Sequence, residues 1–258
     1  MAELQELDSL EITVIIDNEL DPISPCPNEA VQQTGSLKDI GLNAAPTVRD
    51  RGEARREVRM DAICCSAHGL SLMITGIKDG QRRTMLFDTG PEEPAWERNA
   101  KRLGADIGSI ETIHLSHWHR DHSGGMLKAI KMINEAKSDG KPVHVDLHPD
   151  RPDFRGIMAD EPISLEADPS FEDVVAAGAN LQKEGKAHTI LGGAFLISGE
   201  IPRVTPYEVG LRRGIRYVAS KGQWEDDKLV RDERFVMCKL RGLTCFLLKP
   251  ACSKTDNK

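Results

Sequence analysis

Four of the chain's eight histidines fall within nine residues, at His114, His117, His119 and His122. They lie in the run Ile113-His114-Leu115-Ser116-His117-Trp118-His119-Arg120-Asp121-His122-Ser123-Gly124-Gly125, which constrains the fold more than any other segment. The residues leading into it, 111–116, read as a strand. Those after it carry Met126, Leu127, Ile130 and Ile133 at helical spacing. The histidines therefore stand where a strand runs out and a helix begins. In extended backbone, residues two apart point the same way, so His117 and His119 can grip one cation together. Asp121 and His122 follow at the helix N-terminus and can hold a second. Imidazole nitrogen with carboxylate oxygen suits zinc, and also iron or manganese. Asp121 is the candidate catalytic group, because a carboxylate can accept or steer a proton while holding a metal. Ser123 is placed to cap the helix, and Gly124-Gly125 let the backbone pass close to the site. His114 precedes the turn, inside the strand, and reads as a packed or supporting histidine rather than a ligand.

The rest of the chain alternates strand and helix patterns. LEITVIID (10–17) reads as an opening strand. Residues 21–60 hold a proline cluster and then a stretch dense in both charge signs, and read as a surface insertion. ICCSAHGLSLMITGI (62–76) reads as a strand pair interrupted near His68-Gly69. Asp79-Gly80 is a hairpin turn, followed by a strand ending at Asp88. Residues 94–103 form a helix with Pro94 at its start and Gly104 past its end. KPVHVDLH is a strand, FEDVVAAGANLQKEG a helix, and AHTILGG and AFLISGEI strands. The pattern is that of an α/β layered fold, taken as one domain over residues 1–258.

Composition narrows the partners. A net charge of −7 with 4% aromatic residues argues against nucleic acid, since basic patches and stacking platforms are both scarce. No apolar run is long enough for a bilayer, and the acidic N-terminus lacks a signal-peptide pattern, so the expectation is a cytoplasmic protein. The six cysteines form no C-x-x-C pair, which fits reduced thiols. No G-x-S-x-G elbow or phosphate-binding P-loop occurs, leaving a metal-activated water as the leading nucleophile, and a small molecule as the expected substrate. The oligomeric state is open.

The histidine run resembles the signature of the metallo-β-lactamase superfamily, and LFDTG (86–90) resembles the strand-end motif that precedes it. Asp17-Asn18, His68-Gly69-Leu70-Ser71, SGEIPRVTPYE (198–208) and Glu225-Asp226-Asp227 resemble the dihydropterin/ribofuranosylaminobenzene phosphate synthase-like branch, many of whose members are described as metal-dependent hydrolases. The resemblance implies an αβ/βα sandwich of two mixed sheets flanked by helices, with one or two zinc ions at one edge. It implies Asp88 as the carboxylate that supports the metal loop. It implies a metal-bound hydroxide attacking a small-molecule ester, lactone or phosphoester. Two alternatives stand beside that reading: a transferase like the synthase, and a non-catalytic metal-binding remnant. The branch usually continues into a Gly-Cys-Ser-His turn, whereas residues 243–258 diverge and no histidine follows His188. The expectation is therefore an incomplete C-terminal part, an atypical tail at 243–258, and at most one firmly held ion. His148, Glu200 and Arg203 are possible ligands or substrate contacts, and each also reads as an ordinary strand-end or turn residue.

Overall fold

A computed structural model describes residues 4–28, 31–46 and 52–247. Its elements are β1 (Glu6–Leu7), β2 (Ser9–Ile16), α1 (Leu37–Asn43), β3 (Ser71–Lys78), β4 (Gln81–Phe87), α2 (Glu93–Leu103), β5 (Ile110–His114), α3 (Arg120–Ser123), α4 (Met126–Ala136), β6 (His144–Leu147), β7 (Phe154–Met158), β8 (Pro162–Ser164), α5 (Phe171–Ala176), β9 (Asn180–Lys183), β10 (His188–Ile190), β11 (Phe195–Ile197), β12 (Gly214–Val218), β13 (Gln223–Asp226), β14 (Val236–Leu240) and β15 (Leu243–Leu247).

A six-stranded mixed sheet, ordered β2-β3-β4-β5-β6-β9, forms the frame. β2, β3 and β4 run antiparallel, and β4, β5, β6 and β9 run parallel. The turn joining β3 and β4 works because Asp79 and Gly80 both take positive φ, 48° and 74°, the pairing that matches strand twist in a two-residue hairpin. α2 carries the crossover from β4 to β5. Pro94 opens it, and Gly104 closes it with φ 58°.

Side-chain alternation along the frame builds two cores. Leu86, Ile113 and Val145 face the helices, packing with Trp96, Ile130, Ile133 and Val174. Ile74, Met85 and Phe87 face the other way, against Leu7, Phe195, Ile197 and Val236 of a second sheet. Each fully buried aliphatic side chain of this kind contributes about 1.5–3 kcal/mol. The second sheet is ordered β1-β14-β11-β10, with β15 paired to β14. This is the α/β sandwich the resemblance implies, and the helices with the largest buried faces lie on the outer side of the six-stranded sheet. No helix among the described residues is long and apolar enough to cross a membrane.

Several local expectations are corrected. Residues 63–70 form no strand: the Asn99 side chain binds both the N–H and the C=O of Cys65, in place of a strand partner. The helix expected over FEDVVAAGANLQKEG ends at Ala176, because Gly178 turns at φ 99°, and the remainder becomes β9. Ser123 caps nothing; it is buried and its hydroxyl donates to Asp168. A third sheet, β13-β12-β7-β8, was not expected at all. Within 21–60, α1 holds a Ser36/Asp39 capping box and buries no residue, while residues 29–30 and 47–51 lie outside the described residues. Of the tail at 243–258, residues 243–247 are β15, and 248–258 lie outside the described residues.

One buried charge ties the layers together. Arg234, just before β14, donates to the Asp146 carboxylate at 2.6 Å and to the carbonyls of Glu184 at 3.0 Å and Leu115 at 3.1 Å. Asp146, at the middle of β6, also receives His114 at 3.1 Å and His188 at 2.8 Å. Burial opposes its charge, but the hydrogen bonds from His114 and His188 and the Arg234 charge hold its carboxyl far below the usual carboxylate range. A carboxyl whose pKa falls on folding contributes stability above its unfolded value, about 3.9, and that stability drains away as pH drops below it. Urea midpoints measured from pH 6 to pH 3 are expected to fall for the wild type. In Asp146→Asn, already less stable at pH 6, the fall is expected to be visibly shallower. Parallel pH profiles for the two proteins would contradict this assignment.

Candidate metal centre

Parallel strands of an open sheet present their carboxyl ends to one edge, and that edge collects functional groups. Here β4 ends next to Asp88, β5 runs into the histidine turn, and β6 ends next to His148.

Asp88 is fully buried and takes φ 59°, a conformation few non-glycine residues adopt. The strain aims its carboxylate into the turn. It accepts from Ser116 N at 2.7 Å, Ser116 Oγ at 2.8 Å and His122 Nδ1 at 2.6 Å. Because the Ser116 hydroxyl spends its proton on Asp88, it accepts from His117 Nδ1, 3.0 Å away. Asp88 thus fixes the Nδ1–H form of two histidines, His122 directly and His117 through Ser116. In both, Nε2 is the nitrogen left for chemistry.

The imidazoles converge. His117 stands edge-on to His119 with ring centroids 4.5 Å apart, and His117 and His122 are also 4.5 Å apart. Asp121 Oδ2 lies 3.4 Å from His122 Nε2 and 3.6 Å from His68 Nε2. His68 is exposed and is held through Nδ1 by Asn18 Oδ1 at 3.0 Å. His114 stays out of the cluster, buried beneath the sheet on Asp146.

Electrostatics divide the cluster. Burial, helped by the Arg155 guanidinium, pushes His119 down to about 4. Burial and then the neighbouring His122 and His119 push His117 well below its ordinary value. Both are neutral at pH 7, as a nitrogen ligand must be. Burial also opposes a charge on His122, but Asp88 and Asp121 outweigh it and raise His122 to about 10. Burial would raise Asp121, yet the hydrogen bond and charge of His122 bring it to about 2.

This donor set, imidazoles with one ionised carboxylate, suits a borderline cation such as zinc. As the side chains stand, no three described His, Cys, Asp or Glu residues are arranged as a group that could hold an ion. Asp121 Oδ2 faces the Nε2 of His122. The donor chemistry fits a metal, with Nδ1 of His117 and His122 taken up by Ser116 and Asp88 and Nε2 left to bind.

The other sequence candidates are placed as follows. His148 is half-buried, and its Nδ1 accepts from Asp150 N at 3.1 Å. Glu200 is exposed. Arg203 is committed to Glu233 and to the carbonyl of Leu229. Sequence reasoning missed the buried ions Asp146, Arg155, Asp232 and Arg234. Arg231-Asp232-Glu233-Arg234 looks like a solvated charge run, and its one signal is that it abuts the apolar β14.

The glycines after the turn are there for space. A Cβ on Gly124 would come within 1.8 Å of the Pro91 carbonyl oxygen and 2.8 Å of that of Arg120. Gly124→Ala must move backbone on one side or the other, and is expected to lower stability by about 1–3 kcal/mol or more, as overpacking does. A thermal melt within experimental error of wild type would contradict that.

Residues 69–204 match the family profile described as Metallo-beta-lactamase superfamily, which covers the histidine turn, Asp88 and His148. The chain is 30% identical over 141 residues to the 7,8-dihydropterin-6-methyl-4-(beta-D-ribofuranosyl)-aminobenzene-5'-phosphate synthase of Methanocaldococcus jannaschii. That match takes in 55% of this chain and 42% of the synthase, so the chain spans less than half of that relative's length. Among solved structures, it resembles Tm1679, a metal-dependent hydrolase of the beta-lactamase superfamily, with a TM-score of 0.52 and 18% identity. That likeness covers 89% of this chain and 61% of Tm1679, and concerns the fold alone. On the profile match, the two-sheet sandwich and the placement of the histidine turn, the chain belongs to the metallo-beta-lactamase superfamily.

Proposed function

We propose that the chain is a metal-dependent hydrolase acting on a small-molecule ester, lactone or phosphoester. The observation that carries this reading is the convergence of the His117, His119 and His122 imidazoles beside Asp121, with the Nδ1–H form of His117 and His122 set by Asp88. His117, His119, Asp121 and His122 would hold one or two ions, zinc first and iron or manganese next. A bound ion of this class brings the pKa of water toward about 7 and so supplies a nucleophile at neutral pH. Asp121, ionised at pH 7, would accept or steer the proton released during attack. Asp88 would keep the imidazoles aligned throughout. A cytoplasmic setting suits this chemistry and the reduced thiols of Cys26, Cys64 and Cys65.

A second reading is favoured by the synthase match: transfer of a pterin-like group to a phosphorylated aromatic acceptor. A shared fold hosts more than one reaction, so the two readings need separate assays. The zinc-loaded chain should be screened against p-nitrophenyl esters, bis-p-nitrophenyl phosphate and a homoserine lactone. Hydrolysis that is lost in Asp121→Asn supports the first reading. Failure on all of these substrates, with metal retained, overturns it and leaves the transfer reading for assay.

A further inference from the structure

Trp118 lies between His117 and His119, and its backbone groups serve neither strand nor helix. Its N–H donates to Asp232 Oδ2 at 2.7 Å, and its carbonyl accepts from Arg155 Nη1. Arg155 Nη2 in turn donates to Asp232 Oδ1, and Nη1 reaches Oδ2 at 3.3 Å. A closed ring results: Trp118 N–H, Asp232 carboxylate, Arg155 guanidinium, Trp118 carbonyl. The Trp118 side chain is pinned as well, its indole N–H donating to the His148 carbonyl at 3.0 Å. Arg155 is 3% exposed, and Asp232 and Trp118 are fully buried. On its far side, Arg155 Nε donates to Asp227 at 2.8 Å.

A buried ion pair is a poor source of net stability, because desolvating both charges offsets most of their attraction. Its planar, two-pronged geometry does hold direction well. We propose that the Arg155–Asp232 pair is a positioning device for His117 and His119. By holding both backbone groups of the residue between them, it sets the direction in which the two imidazoles leave the turn. Arg155 comes from β7 in the third sheet and Asp232 from the segment before β14. The role of that small sheet is then to bring a guanidinium beneath the histidine turn. Arg155 and Asp232 are positioning residues, since all their hydrogen bonds described above go to protein groups. The inference rests on the metal-centre reading above.

The test compares the wild type with Asp232→Asn, which weakens the clamp, and Asp227→Asn, which touches only the far side of the same guanidinium. Zinc affinity is measured by competition with a chromophoric chelator. Hydrogen exchange of the 116–123 peptide is measured in metal-free protein, and urea midpoints are recorded for all three. Asp232→Asn is expected to bind zinc about 10–100-fold more weakly and to exchange faster at 116–123. Asp227→Asn is expected to keep near-wild-type affinity and exchange even where its urea midpoint falls. Wild-type affinity and exchange in Asp232→Asn would overturn the inference, as would affinity losses in both variants that merely track their urea midpoints. A wild type that holds no zinc would instead overturn the metal-centre reading, and exchange at 116–123 still decides whether the pair orders the turn. Should Asp232→Asn not fold, Asp232→Glu keeps the charge but displaces the carboxylate by one methylene, and carries the same expectations.

Discussion

Arg234→Ala is expected to cost about 3–5 kcal/mol, the loss that follows when one partner of a buried ion pair is removed. The guanidinium is fully buried. It joins β6, through Asp146, to the strand-end carbonyl of Leu115 and to the carbonyl of Glu184 after β9. Its own N–H donates to the Ser116 carbonyl at 2.8 Å, next to His117. Alanine would leave the Asp146 carboxylate facing only His114 and His188, and would take the Arg234 donors from the carbonyls of Leu115 and Glu184. A domain of this kind has about 5–15 kcal/mol in hand, so much of the stability would go. Urea unfolding followed by far-UV circular dichroism reads this directly. A loss below about 1 kcal/mol, the range of exposed pairs, would mean that the site is solvated.

The second large effect is expected at Asp88. Asp88→Ala removes one acceptor that serves Ser116 N–H, Ser116 Oγ and His122 Nδ1, all in the interior. Each orphaned group costs about 1–3 kcal/mol, so the fold should lose several kcal/mol. Zinc affinity should fall about 10–100-fold, because two imidazoles lose their orientation together. Asp88→Asn separates the two consequences. It keeps the volume and one oxygen acceptor, so stability should partly return. Its amide cannot serve all three donors, so affinity should stay low. Asp88→Ala that binds zinc as tightly as the wild type would show that His117 and His122 do not depend on this carboxylate.

The legible part of the chain was the part governed by local rules. The strand-turn-helix around 111–133 shows a change of period from two to 3.6, and the structure places its strand and helix there. The Asp79-Gly80 hairpin and the Pro94…Gly104 helix were readable because turn and cap chemistry is decided within a few residues. What stayed hidden depends on partners far along the chain. Asp232 and Trp118 are 114 residues apart, as are no residues that a window of sequence can compare. The third sheet escaped because β7 and β12 put arginines, Arg155 and Arg216, where an apolar alternation would have announced a strand. Arg155 is buried only because Asp227 and Asp232 meet it there. The run at 171–185 misled because its helical pattern outlasts the helix, and the one contrary sign was Gly178.

The most direct test of the central claim is metal content. The purified chain is dialysed against zinc, then against metal-free buffer, and analysed by elemental mass spectrometry beside His119→Ala. The account predicts that the wild type keeps at least about one equivalent per chain, and that His119→Ala, folded by circular dichroism, keeps little, because a direct ligand is worth more than the 10–100-fold of a supporting one. Equal zinc in both proteins, or none in the wild type, would contradict it.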